Sequence, residues 1–143
     1  VNERALLDLV AGHDRGVLAA VKRDGRPQLS MVNYGWHESI RTAVVSSVAD
    51  RAKIHNLRRD PRGSLLVSSD DGWAYAVLEG TVTLSAVAAD PADEVVEELV
   101  EVYRTIRGEH PDWDEYRTVM VADGRLVIRL TVERVYGLAP QST

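Results

Sequence analysis

The 143-residue sequence has no cysteine, which removes a disulfide framework, a thiolate nucleophile and any cysteine-ligated zinc or iron–sulfur centre. Any redox chemistry has to come from a bound cofactor. His13, His37, His55 and His110 share no metal-ligand spacing and no H-E-x-x-H occurs, so no metal site is expected. Phosphate loops of Walker type, a G-x-G-x-x-G after a strand and a G-x-S-x-G elbow are all missing, which removes support for nucleoside-triphosphate hydrolysis and α/β-hydrolase chemistry. No apolar run approaches the roughly 18 residues of a membrane span. The Asn2-Glu3-Arg4 start lacks the basic region and long apolar stretch of a secretory signal. A cytoplasmic protein with no membrane association is expected. Positive charge is also in deficit: 17 basic residues against 22 acidic ones leave a net charge of −5, which argues against a surface built to hold nucleic acid.

What is present is ordinary for a globular chain, 45% hydrophobic and 27% charged, which sets intrinsic disorder aside. The length suits a single domain over residues 1–143. Leu6, Leu7, Leu9 and Val10 predict a short amphipathic helix ended near Gly12. Strands are predicted at 17–21 and 28–34, joined as a hairpin by the Asp24-Gly25 turn, then at 40–47, 64–68 and 73–87, with a bulge at Gly80. Asp50 is placed as the cap of a basic helix that runs to Arg59 and stops at Asp60-Pro61. Asp90-Pro91-Ala92-Asp93 carries helix-start chemistry, with Asp90 as cap. Val96, Leu99, Val100, Tyr103 and Ile106 then share one helical face up to a stop at Gly108, and a second short helix follows over 111–120. Residues 126–132 alternate as a half-buried strand. About six strands joined by short turns imply a mainly β, antiparallel barrel with helices packed outside it.

One segment departs from the acidic average. Arg51, Lys53, Arg58, Arg59 and Arg62 put 5 of the 17 basic residues into twelve positions. Arg51 and Lys53 stand where a helix begins, and Ser46 and Ser47 end the strand before it. Unpaired N–H groups and a partial positive charge at such a corner suit a phosphate monoester. Residues two apart on a helix point to nearly opposite sides, so Arg51 and Lys53 can share a ligand only if Arg51 is still in the loop. The alternative is a solvated basic face. Trp36, Trp73 and Tyr75 suit packing or a subunit contact better than ligand stacking, and Glu94, Glu97, Glu98 and Glu101 form a solvated helix side.

Gly16-Val17-Leu18-Ala19, Asp24-Gly25-Arg26-Pro27-Gln28, Arg51-Ala52-Lys53-x-x-Asn56-Leu57-x-x-Asp60-Pro61 and Val135-Tyr136-Gly137 occur in an order that resembles the pyridoxamine 5′-phosphate oxidase-like superfamily. Within it the chain looks most like the actinobacterial coenzyme F-420-dependent reductases. The resemblance implies a six-stranded split β-barrel of the type that binds flavin mononucleotide (FMN), assembled as a homodimer with cofactor sites in clefts at the interface. It implies that Arg51, Lys53 and Asn56 grip the cofactor phosphate, that Pro27 and Gln28 approach the ring and that Ser46 lies beneath it. Trp73 follows a turn near the cleft and is placed at its own or the partner's site.

A single phosphate corner suits F-420 and FMN alike, both planar tricycles with a phosphate. The surplus of basic residues favours F-420, whose polyglutamate tail Arg58, Arg59 and Arg62 would meet. Pyridoxamine-phosphate oxidases carry a carboxy-terminal extension with substrate-binding basic residues, whereas this sequence ends twelve residues past Thr131, so that activity is not expected. The expected function is hydride transfer from reduced F-420 to a small unsaturated acceptor of the enone, quinone or tetrapyrrole class, with a proton from solvent, Tyr34, Ser46 or Gln28. The alternatives are an FMN oxidoreductase and a non-catalytic carrier of F-420 or haem.

Overall fold

The computed structural model describes residues 2–140. In chain order it contains α1 (Glu3–Ala11), β1 (Arg15–Val21), β2 (Pro27–Asn33), β3 (Gly35–His37), β4 (Thr42–Val48), α2 (Ala52–Arg59), β5 (Arg62–Ser68), β6 (Tyr75–Leu84), α3 (Glu94–Arg107), α4 (Trp113–Asp123) and β7 (Arg125–Leu138), with a 3-10 turn at Glu38–Ile40. The seven strands form one antiparallel sheet in the order β2-β1-β5-β6-β7-β4-β3. β2 and β3 lie at its opposite edges, yet only Tyr34 separates them in sequence. The sheet therefore curls until its edges converge, giving the mainly β split barrel expected. It has seven strands rather than six because β3, at three residues, is too short to show an alternation and falls where the sequence suggests only a turn.

Two apolar clusters hold the curl. Inside the barrel, Leu18, Val45, Leu65, Leu78 and Ile128 pack with Leu6 and Val10 of α1, and the buried Tyr34 hydroxyl donates to the Val10 carbonyl at 2.6 Å. The helix thus plugs the corner at which the edges meet. Outside, Val96, Leu99 and Val100 of α3 pack on Val44 and Val127. Val127 accordingly faces the helices, and β7 is covered on both sides there instead of half-buried. Arg129 of β7 donates twice to the Glu98 carboxylate at 2.6 and 2.5 Å, while Tyr116 of α4 donates to the Leu99 carbonyl at 2.9 Å. These bonds fix α3 to the sheet and α4 to α3.

Several boundaries differ from the sequence reading. Asp93, not Asp90, caps α3 by accepting from Val96 N–H, and Asp90 instead closes a local turn by accepting from Ala92 N–H. Asp50 caps nothing: α2 starts at Ala52 with Arg51 in the cap position. The 40–47 strand begins at Thr42, after the 3-10 turn, and the 73–87 strand is reduced to Tyr75–Leu84, leaving Trp73 in the turn.

The bulge at Gly80 is present as a register shift between Glu79 and Gly80 against β7. A Cβ there would lie 1.9 Å from the Thr131 carbonyl oxygen, so the two backbones can approach only because the residue is glycine. Gly80→Ala should lower stability by about 3 kcal/mol, the upper end of overpacking costs, read as a lower urea midpoint at an unchanged slope. An unchanged midpoint would contradict the close approach.

Candidate functional site

The split between β2 and β4 opens into a cavity of about 360 Å³. Met31, Val32 and Asn33 of β2 form one wall and Ser46 of β4 another. Lys53 enters from the first turn of α2 and Arg125 from the start of β7, while Val102, Tyr103, Ile106 and Arg107 of α3 with Tyr116 and Met120 of α4 complete the enclosure. Gly124, in the left-handed region at φ 64°, ends α4 and turns the chain so that Arg125 enters β7 beside Val48. Because β2 is an edge strand, the groups along its outer side have no ladder partner.

The electrostatics of the cavity favour an anion. Burial depresses the Lys53 amine below the ordinary lysine range, and the neighbouring Arg51 and Arg125 depress it further. Arg125 Nη1 reaches Ser46 Oγ at only 3.5 Å. Its Nε is buried with no hydrogen-bond partner; the Asp123 carboxylate, at 3.6 Å, is within ion-pair range but too far to accept a hydrogen bond. A buried donor left unmade costs about 1–3 kcal/mol, which a bound anion would recover. α2 adds a second donor group. Asn2, Asp93 and Asp112 cap α1, α3 and α4 with their side chains, but no side chain caps α2. Arg51 has extended geometry, φ −68° and ψ 151°, so it is in the loop, as sharing a ligand with Lys53 requires.

The residues singled out from sequence are distributed unevenly. Ser46 and Lys53 line the cavity together, with Arg51 beside them. Asn56 donates to Gln28 Oε1 at 3.2 Å, tying α2 to β2 next to the cavity. Pro27 faces a different depression, with Arg62, Glu79 and Arg134. Trp73 is 80% exposed and shares a third depression with Leu138 and Pro140. Tyr34 is buried in the barrel, bonded to Val10, and its hydroxyl is pushed above the ordinary phenol range by that burial; it cannot pass a proton to the cavity. The arginines named for an anionic tail are also divided. Arg59 donates to the Val21 carbonyl at 2.6 Å and Arg62 is paired with Asp60 at 2.7 Å, which leaves Arg58 as the uncommitted one of the three. Sequence reasoning missed Arg125 and the α3–α4 wall. The Asp123-Gly124-Arg125 turn was the only local sign of Arg125, and nothing in the sequence pairs it with residues about 70 positions earlier.

If this corner holds a phosphate, Lys53→Ala should weaken binding of a phosphate monoester by roughly ten- to a hundredfold, the value of one charge-assisted hydrogen bond, while Arg23→Ala in the exposed β1–β2 turn should change nothing. The amine binds in its charged form, so affinity should fall as pH rises through the depressed Lys53 value; Lys53→Arg should keep binding flat over the same range. Calorimetric titration against pH checks both.

The curled antiparallel sheet is thus a split barrel with a cationic cavity at its split. The chain belongs to the pyridoxamine 5′-phosphate oxidase family, whose sequence model matches residues 3–139. The family includes oxidoreductases. Among solved structures, a conserved hypothetical protein of Mycobacterium tuberculosis is 22% identical, with all of this chain aligned to 91% of that one at a TM-score of 0.74. An F-420 reductase is 21% identical over 90% of this chain and 94% of its own, at 0.62. A FAD-binding protein of Mesorhizobium loti is 18% identical over 96% and 92%, at 0.68. These likenesses concern the fold.

Proposed function

We propose that this chain is a coenzyme F-420-dependent reductase, acting as one 1–143 domain, that passes hydride to a small unsaturated acceptor. The observation that carries the reading is the cavity corner where Lys53, Arg51 and Arg125 converge with the Ser46 hydroxyl and the uncapped start of α2, at the free edge of β2. The donors present fit a phosphate: Arg125 Nε has no partner, and the nearest carboxylate is out of hydrogen-bond range. Lys53 and Arg51 would hold that phosphate, with Asn56 and Gln28 keeping α2 against β2 so that the corner keeps its shape. Unpaired groups of β2 around Gln28 would align the polar rim of a planar heterocycle. Bound F-420 would supply the hydride itself. Of the proton donors considered, Ser46 lies in the cavity, Gln28 is engaged by Asn56, and solvent reaches the open side.

FMN is the second reading, and one observation favours it: Arg59 and Arg62 are committed within the chain, which reduces the case for a polyglutamate tail to Arg58. The two cofactors separate in a titration of F-420 against FMN. The F-420 reading expects a colourless purified protein from a host without F-420 and tighter binding of F-420; copurifying yellow flavin that O₂ reoxidises would overturn it. With the tail argument reduced, short- and long-tailed F-420 should differ by no more than about fivefold, the limit for one exposed ion pair, and less at high salt.

The assembly is read as a homodimer. Met31, Val17, Leu66, Val77 and Tyr136 stand in one register row across five strands on the outer face of the sheet, flanked by Leu29, Tyr75 and Leu138. Met31 is 65% and Leu29 63% exposed. An apolar sheet face of this extent suits a twofold contact, and its border at Met31 is also the wall of the cavity, so a partner would finish the cleft. Trp73, which lines a different depression from Lys53 within one chain, would then act only in the partner's cleft. Light scattering at micromolar concentration should give twice the chain mass, and Leu29→Lys with Leu66→Lys should give the monomer.

A further inference from the structure

The cavity does not end at Arg107. A second depression, lined by Asp14, Arg15, Met31, Val32, Asn33 and Arg107, shares four of its residues with the first, so the two form one groove along β2. Lys53, Ser46 and Arg125 belong only to the first part, Asp14 and Arg15 only to the second, and Arg107 stands at the junction. The groove therefore carries charged groups at both ends, Lys53 and Arg125 in the first part and Arg15 with Asp14 in the second.

Between the ends the groove is apolar. Met31 from β2 faces Val102 and Ile106 from α3, with the Tyr103 ring beside them. Beyond this strip Arg107 and Arg15 line the second depression together with one carboxylate, Asp14. Arg104, one turn earlier on α3, is held by Glu101 and Glu109, but Arg107 makes no ion pair among the described residues. Complementing the carbonyl end of α3 would account for a basic residue there; it would not account for an uncommitted guanidinium over an apolar strip.

We propose that this stretch is the acceptor subsite, and that it takes a planar apolar molecule bearing a carboxylate or similar anion, with the apolar body on Met31 and Ile106 and the anion at Arg107. The inference rests on the reductase reading for the word acceptor, but the site itself can be tested without it. Lys53 is reserved for the cofactor end, so specificity for the acceptor's charge falls to Arg107.

The sequence supplies its own probes. Its two methionines, Met31 and Met120, both line the cavity, so the full-length protein labelled with ¹³C in the methionine methyls reports from the groove in two resonances. Titration with 2-naphthoate should shift the Met31 methyl to saturation, and 2-naphthamide, equal in shape and uncharged, should bind about tenfold more weakly or worse, as expected for loss of a charge-assisted contact. Arg107→Gln should abolish the preference for naphthoate, Arg107→Lys should retain part of it, and Lys53→Gln should leave it in place. Equal affinity for the two probes, a preference that survives Arg107→Gln, or one lost in Lys53→Gln instead would overturn the assignment. Titration of F-420 into the same samples is scored separately. If F-420 fails to bind while the Arg107 preference holds, the cofactor reading falls and the anion subsite stands; if F-420 binds without that preference, the subsite falls and the cofactor reading stands.

Discussion

Tyr34 alone links β2 to β3, and these strands occupy opposite edges of the seven-stranded order. A one-residue connection cannot cross the width of an open sheet, so the edges must converge, and the barrel, its plug and its split all follow. α1 is required because the convergence leaves an apolar corner, which Leu6 and Val10 fill and the Tyr34–Val10 hydrogen bond locks. The split is required because β2 and β4, brought close by the curl, do not pair. What would be a continuous ladder in a closed barrel becomes a cavity with a free strand edge on one side, and a free edge inside a protected groove is a binding surface rather than an aggregation hazard.

Charge is then concentrated at one end of that cavity against its own preference. Three cations, Arg51, Lys53 and Arg125, face one another, and their mutual repulsion together with burial holds the Lys53 amine below its ordinary range. Such an arrangement is unfavourable in isolation and becomes favourable when a dianion arrives, which is the usual logic of a site that gives up some stability for affinity. The start of α2 differs in the same place: no side chain caps its first N–H groups, in contrast with the three other helices, which have side-chain caps.

α3 and α4 contribute in a different way. They are anchored to β7 through Arg129–Glu98 and to each other through Tyr116–Leu99, so the apolar wall they present to the cavity is rigid. Tyr103, His110, Trp113 and Tyr116 pack edge-to-face or tilted against one another with ring centres 5.1 to 5.6 Å apart, which stiffens the junction of α3 and α4. The strand edge therefore meets a fixed wall, and the width of the groove is set by helix packing, not by mobile loops.

Local chemistry was sufficient for much of this. The β1–β2 hairpin, the Gly80 bulge, the α3 face and its stop at Gly108 could be read from the sequence because each depends on residues within a turn or two of one another, where backbone propensity and periodicity act. The basic start of α2 was legible for the same reason, with Ser46 beside it. Where neighbours competed for one role, local chemistry pointed to the wrong one: Asp90 reads as the cap of α3, yet Asp93 holds that place, because the packing of Val96 and Leu99 on Val44 and Val127 decides where the helix begins. Arg125, Arg107 and the apolar row on the outer sheet face were not legible at all. Their placement depends on the order of strands and on a curl fixed by Tyr34, which bring β7, α3 and β2 to one cavity across long stretches of chain. Local pattern thus settles which elements form and where a phosphate is favoured. Closure of the barrel settles what shares the cavity with that basic corner, because the convergence of distant segments arises from packing that no short stretch of sequence encodes.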